Sequence, residues 1–202
     1  MKSFFFFQVV SQYSNMPGQS CLVLLAEGSE EMETVIVVDI LRRAKVDVVL
    51  AGLGQELVTT CSRSVKIVAD CLLQDVNDVF DCVVLPGGGK GAEIFANSKI
   101  VRDVLEKHQA AGKLVAAICA APTALLAHNI GIGKKITSYP AFKDQLSKDY
   151  NYSEDRVVVD GKLVTSQGPG TTFEFAFKLV ELLLEDTKVA DELKSQTLAL
   201  TP

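Results

Sequence analysis

The chain has 202 residues, 48% hydrophobic and 22% charged, enough to bury a full core and without the polar bias of a disordered chain. A formal net charge of -5 and an aromatic content of 7% exclude the basic, ring-bearing surface that nucleic acid needs, and leave room for a small neutral or anionic metabolite. Five cysteines, Cys21, Cys61, Cys71, Cys82 and Cys119, form no close CxxC pair, so neither a disulfide framework nor a metal site is indicated. A reducing compartment is expected, the cytoplasm first, with nucleus and mitochondrion as alternatives.

Residues 1–20 differ in composition from the rest. The run Phe4 to Phe7 is too short to span a membrane, and no small-residue cleavage site follows. They read as a flexible extension to a single domain over 21–202. Cys21 to Ala26 is a continuous apolar strand, followed by a loop in which Ser29 is a candidate helix cap. The helix Met32 to Ala44 is apolar at Val35, Ile36, Val37, Val38, Ile40 and Leu41, wider than one stripe, so a second subunit is expected to cover part of it.

Strands follow over 46–51, 58–61, 66–68, 81–85, 113–118 and 135–138, with helices over 98–111 and 120–128. Fully apolar strands alternating with helices predict an α/β fold, a doubly wound and mostly parallel sheet with helices on both faces. Arg156 to Val159, the turn Asp160-Gly161 and Lys162 to Ser166 predict a β-hairpin near the C-terminus. A long helix over 171–185 and a polar C-terminal helix end the chain.

Ligands of such sheets bind beyond the carboxyl ends of the strands, where connections run to opposite faces. Three loops converge there: the one after the first strand, the glycine loop Pro86 to Gly91, and the turn at Cys119. Cys119 lies where an apolar strand meets the small residues that open a helix, the setting of a nucleophile or an oxidisable thiolate; the alternative is a core cysteine. Glycines 87 to 89 let the backbone approach a ligand, and the N–H groups of Gly88 and Ala120 are candidates for an oxyanion hole.

Moving a thiol from about 8.5 to about 5.5 takes roughly 4 kcal/mol, of which a helix terminus supplies at most about 2. A protonated carboxylic acid donating to the sulfur can supply the rest, whereas an ionised one opposes it. Glu30, Glu31 and Glu33 are available, and Glu33 is far enough along the helix to point inward; the alternative is three solvated acids at a helix start. His108 lies in a polar stretch and is expected to be solvated, and His128 is a helix length from the thiol. That disfavours a Cys-His hydrolase of the glutamine amidotransferase or peptidase kind. Cys21 and Cys82 are expected in the core, while Cys61 and Cys71 are open to exposure.

Four segments in order, Ala26 to Val35, Val84 to Gly88, Ala116 to Thr123 and Ser166 to Thr171, together resemble the Parkinson's-disease-linked protein deglycase (DJ-one) family of the ThiJ/PfpI superfamily. The resemblance runs from about Cys21 almost to the C-terminus. It implies a flavodoxin-like homodimer joined through the first helix near Met32. It places the nucleophile at Cys119, a protonated partner at Glu33, and Gly87, Gly88 and Ala120 around them. It implies glyoxalase or deglycase activity on methylglyoxal, related α-oxoaldehydes or glycated substrates without a cofactor or metal, alongside a redox-controlled chaperone or sensor role in which Cys119 becomes a sulfinic acid. Arg63 matches the family and is expected to help hold an anion from the partner subunit. Two positions depart from the family: Tyr139 precedes Pro140 where His is frequent, and Gln167 stands where Arg is common. Without that histidine, weak turnover is expected.

Overall fold

The computed structural model describes residues 18–199. Of the extension expected over 1–20, residues 1–17 lie outside the described residues, and Ser20 already opens the first strand. The elements in chain order are β1 (Ser20–Ala26), α1 (Glu31–Arg43), β2 (Asp47–Leu53), β3 (Val58–Thr60), β4 (Lys66–Val68), β5 (Cys71–Leu72), β6 (Cys82–Leu85), α2 (Gly89–Asn97) and α3 (Lys99–Ala110). There follow β7 (Leu114–Ile118), α4 (Pro122–Ala127), β8 (Lys135–Ile136), α5 (Lys143–Leu146), β9 (Asn151–Tyr152), β10 (Val157–Asp160), β11 (Leu163–Ser166), α6 (Thr172–Leu184) and α7 (Thr187–Gln196).

Seven strands pair in the order β10-β11-β7-β6-β1-β2-β5, parallel throughout except for β10 against β11. This is the expected doubly wound sheet. Successive residues of β1 point to opposite faces, and both faces are covered, which is why the strand is apolar at every position. Cys21, Val23 and Leu25 join the layer built with α1, α6 and α7; Leu22, Leu24 and Ala26 join the layer of α2, α3 and α4. The strand order reverses at β1, which has β6 on one side and β2 on the other, so a crevice opens at the carboxyl ends of β1, β6 and β7.

Several local expectations are corrected. The cap of α1 is Glu30, whose Oε2 accepts the Glu33 N–H at 2.9 Å, while Ser29 is buried with its Oγ accepting the Ala26 N–H at 3.0 Å. The glycine loop is shorter than expected, because α2 begins inside it at Gly89. The helix expected from Ala120 starts only at Pro122 and has six residues. Asp160 pairs with Leu163, so the hairpin turns on Gly161-Lys162, with Gly161 at φ 62°. The extra apolar width of α1 is used largely by α6 within the same chain; Met32 and Val35 alone of its large apolar residues remain about half exposed, at 52% and 51%.

Both histidines are buried rather than solvated. His108 Nε2 accepts the Phe80 N–H at 3.1 Å, and its Nδ1, 2.7 Å from the Val104 carbonyl oxygen, is then the protonated nitrogen. The polar letters around His108 had suggested solvent, but the ring ties α3 to the loop before β6. Burial pushes its pKa down from 6.5. The unfolded chain therefore binds the proton more readily, and the contribution of His108 to stability is complete above about pH 6.5 and lost as the pH falls below it. Thermal melts from pH 8 to about pH 5 are expected to show a fall that is shallower in His108→Gln, although that variant starts less stable by about 1–3 kcal/mol.

Candidate active site

Ile118 ends β7, and Cys119 turns the chain with φ 63°, in the left-handed region that a residue with a Cβ enters at about 1–2 kcal/mol. Two backbone hydrogen bonds hold it there. Its N–H donates to the Ser166 carbonyl at 3.0 Å, and its carbonyl accepts the Tyr139 N–H at 2.8 Å. The strained turn lifts the side chain off the sheet, and the sulfur receives the N–H groups of Gly88 and Ala120. With α4 starting at Pro122, these two donors act as individual dipoles rather than as the end of a long helix.

Glu33 arrives from the first turn of α1 with 0% exposure. Its Oε2 accepts the Gly87 N–H at 2.6 Å, while its Oε1 is buried without a hydrogen-bond partner among the described residues. The thiol of Cys119 is its neighbour and interacts with it through a hydrogen bond and through charge. Gly87 is where the two meet: a Cβ built there would lie 2.5 Å from the Cys119 Cβ and 2.7 Å from Glu33 Oε2. Gly87 therefore cannot serve a ligand as expected, because its N–H is already engaged. Gly88 has φ 87° and a Cβ there would strike the Gly28 carbonyl oxygen at 2.2 Å, so its freedom is required by close approach of two loops.

Burial pushes the Glu33 carboxyl up to about 7, with the Gly87 N–H working the other way. Burial and the Glu33 charge push the Cys119 thiol up to about 12, opposed by the Gly88 and Ala120 N–H groups. The two groups titrate as a unit. The pair releases one proton near neutrality and holds the second far longer, since two adjacent charges cannot share a buried site. Across neutral pH the site thus contains one negative charge and one proton.

The three acids expected as alternatives at the helix start are all buried. Only Glu33 faces the thiol; Glu30 caps α1, and Glu31 accepts the Ser62 hydroxyl at 2.7 Å and the Arg63 N–H at 2.8 Å. That carboxylate fastens the β3–β4 turn to the start of α1 and brings Arg63 to the rim. The cleft over Cys119 has a volume of about 480 Å³ and is lined by Met32, Arg63, Gly88, Ala120, Tyr139 and Phe142 among others. Sequence reasoning did not anticipate the anchoring role of Ser166, Phe142 in the lining, or Glu31 as the fastener of Arg63. The Glu30-to-Glu33 spacing, a cap followed three residues later by an acid, was the one available signal. Gln167 donates through Nε2 to the Glu154 carbonyl at 2.9 Å. Neither histidine lines the cleft, and His128 Nε2 lies 2.8 Å from the Phe95 carbonyl oxygen. Cys21 and Cys82 are in the core as expected; Cys61 is buried as well, and Cys71 is half-buried.

If the shared proton governs the thiol, alkylation of Cys119 by iodoacetamide will rise with pH with a midpoint near 7, the value at which the pair first ionises. In Glu33→Gln that midpoint is expected to move upward by about one unit or more, because burial still opposes the thiolate and the carboxylic acid donor is gone. An unchanged rate profile in the variant would show that the carboxyl takes no part in ionising the sulfur.

Comparison with known proteins agrees with this geometry. The profile of the DJ-1/PfpI family matches residues 19–182. The chain is 48% identical over 183 residues to protein dj-1beta of Drosophila melanogaster, covering 90% of this chain and 98% of that protein. It is 39% identical to the glutathione-independent glyoxalase DJR-1.2 of Caenorhabditis elegans, covering 90% of this chain and 97% of the relative. The crystal structure of Drosophila melanogaster DJ-1beta superposes with a TM-score of 0.88 at 46% identity, over 91% of this chain and 100% of that one. With that coverage, the same fold and a family profile across the elements that build the cleft, the chain belongs to the DJ-1/PfpI family.

Proposed function

We propose that this protein is a cofactor-independent glyoxalase-type enzyme acting on α-oxoaldehydes, with Cys119 as nucleophile and Glu33 as the group that moves the proton. The observation that carries this reading is the buried Glu33 carboxyl, its Oε1 without a hydrogen-bond partner among the described residues, next to a thiol whose sulfur receives two backbone N–H groups. The single charge of the pair is proposed to sit on sulfur, where Gly88 and Ala120 donate, with the proton on Glu33 Oε1 and Oε2 still accepting from Gly87. The glyoxalase relative, similar over nearly its whole length, supports the reaction class.

The chemistry balances without an external oxidant. The thiolate adds to the aldehyde carbon of methylglyoxal, and the resulting alkoxide takes up a proton to give a hemithioacetal. Glu33, as carboxylate once its proton has been delivered, removes the hydrogen from that carbon and returns it to the adjacent carbon, so the aldehyde carbon is oxidised and the ketone carbon reduced. Water then cleaves the thioester to lactate and regenerates the thiol. Gly88 and Ala120 N–H groups lie beside the reacting sulfur, in position to stabilise an oxyanion on the added carbonyl. Arg63, at the rim, supplies positive charge for an anionic product.

The same thiolate supports an oxidative-stress role. Peroxide converts it first to a sulfenate and then, with a second equivalent, to a sulfinate, each step releasing water, and the proposed proton on Glu33, whose carboxyl burial pushes up to about 7, would support the sulfinate by donating to one of its oxygens. Lactate formation from methylglyoxal is expected to fall to background in Cys119→Ser and by roughly a hundredfold or more in Glu33→Gln, in line with loss of a general acid–base. Selective sulfinylation of Cys119 by graded peroxide with no lactate produced by the unmodified protein would leave the sensor role alone.

A homodimer through α1 is part of this reading. Met32 and Val35, 52% and 51% exposed, form an apolar face on α1 that the described residues leave uncovered, and Met32 also lines the cleft. Light scattering is expected to give twice the chain mass for the wild type and the single-chain mass for Met32→Glu combined with Val35→Glu. A wild type that remains single at high concentration overturns the dimer.

A further inference from the structure

The cleft over Cys119 is large for a three-carbon aldehyde, and one of its walls is an aromatic ring to which the reaction assigns no task. Its volume of about 480 Å³ falls in the range of roughly 300–1,000 Å³ that takes drug-sized ligands. The lining is divided by origin. Glu30, Ser62 and Arg63 come from the β1–α1 connection and the β3–β4 turn, whereas Tyr139, Phe142 and Pro169 come from the segments that follow β8 and β11. Because β11 and β1 lie on opposite sides of β6 and β7, a mixed side of Met32 and these polar residues faces an aromatic one across the thiol.

Tyr139 is the fixed part of the apolar side. Its N–H donates to the Cys119 carbonyl at 2.8 Å, and its own carbonyl accepts the Phe142 N–H at 3.0 Å and the Ser138 hydroxyl at 3.0 Å. The ring edge rests beside Gly168, where a built Cβ would stand 3.5 Å from Cδ2, an ordinary contact. Yet the residue is 48% exposed. A ring tied by its backbone to the nucleophile's own carbonyl, with its side chain open to the cleft, is a preorganised stacking surface at low entropic cost. A flat substituent conjugated with the dicarbonyl complements it better than a methyl group, which covers little of its face.

We propose that Tyr139 determines substrate specificity, so that the preferred substrates are α-oxoaldehydes bearing an aryl or similarly planar group, which stacks on the Tyr139 ring while Cys119 holds the aldehyde carbon. This rests on the glyoxalase-type reading of the site.

The test compares phenylglyoxal with methylglyoxal by initial rates on the intact wild type, Tyr139→Ala and Tyr139→Phe. The kcat/KM ratio is expected to favour phenylglyoxal by about fivefold in the wild type, the scale of one aromatic stack. It is expected to collapse in Tyr139→Ala through a higher KM for phenylglyoxal, and to survive in Tyr139→Phe, which keeps the ring. A ratio that is the same in Tyr139→Ala as in the wild type overturns the proposal while leaving the glyoxalase reading in place. If no variant turns over either aldehyde, that reading falls, and the stacking surface is judged by binding alone: mandelate and lactate titrated by NMR into Cys119→Ser with and without Tyr139→Ala. Loss of the preference for mandelate when the ring is removed supports the Tyr139 role; an unaltered preference overturns it.

Discussion

The hydrogen bond from the Gly87 N–H to Glu33 Oε2, at 2.6 Å, holds together the parts of the molecule on which the site depends. It joins the loop after β6 to the first turn of α1, two connections that leave neighbouring parallel strands, and it does so directly beneath the turn at Cys119. No side chain larger than hydrogen fits at Gly87. A carboxyl buried there without a donor would lose the favourable exchange of water for protein that makes burial tolerable, by about 1–3 kcal/mol or more. The same contact leaves Oε1 without a hydrogen-bond partner among the described residues.

From that contact follows the difference between Cys119 and the other cysteines. Cys61 and Cys71 are both pushed up to about 11, first by burial and then by nearby acids, with no donor to offset either. Cys21 is pushed far up by burial and by its neighbour Cys82 across the β1–β6 pair. Cys119 also feels burial and an acid, and is pushed up to about 12, but it alone of these has backbone N–H groups, those of Gly88 and Ala120, opposing the rise, beside an acid whose own carboxyl burial pushes up to about 7. The proposed reactivity of Cys119 rests on donor placement working against desolvation, with no contribution from a long helix, since α4 has six residues and begins three positions beyond the thiol.

The strained backbone at Cys119 has its compensation in two backbone hydrogen bonds, one to the end of β11 and one from the segment after β8. The Ser166 carbonyl lies at the end of β11 and Tyr139 follows β8, so the turn is clamped from elements far apart in the chain. Those clamps also bring the segment of Tyr139 and Phe142 over the thiol and shape one wall of the cleft. The turn at Cys119 and the cleft wall at Tyr139 are thereby joined by a backbone hydrogen bond, the 2.8 Å contact from Tyr139 to Cys119. The histidines are excluded from this chemistry by packing, each occupied with a backbone partner elsewhere in the helical layers.

How much could be read from letters alone differs by element. The continuous apolar runs of β1, β6 and β7 and the Gly-containing hairpin announced a parallel sheet with an antiparallel edge, because burial on both faces and turn stereochemistry are local demands on residue type. Cys119 and Glu33 were legible as candidates, and the four family segments supplied the roles expected of them; Gly87 was legible as a place of close approach, while its hydrogen bond to Glu33 was not. What the linear order could not decide was which of Glu30, Glu31 and Glu33 faces the thiol, that His108 is buried, that α4 starts late, or that Arg63 reaches the rim through Glu31. Composition and periodicity report how a residue meets its own strand or helix. The direction of a carboxyl, and whether water reaches it, depend on loops from strands 50 or more positions apart closing over one crevice, as Glu33 and Gly87, 54 residues apart, do here, and only the folded chain settles that.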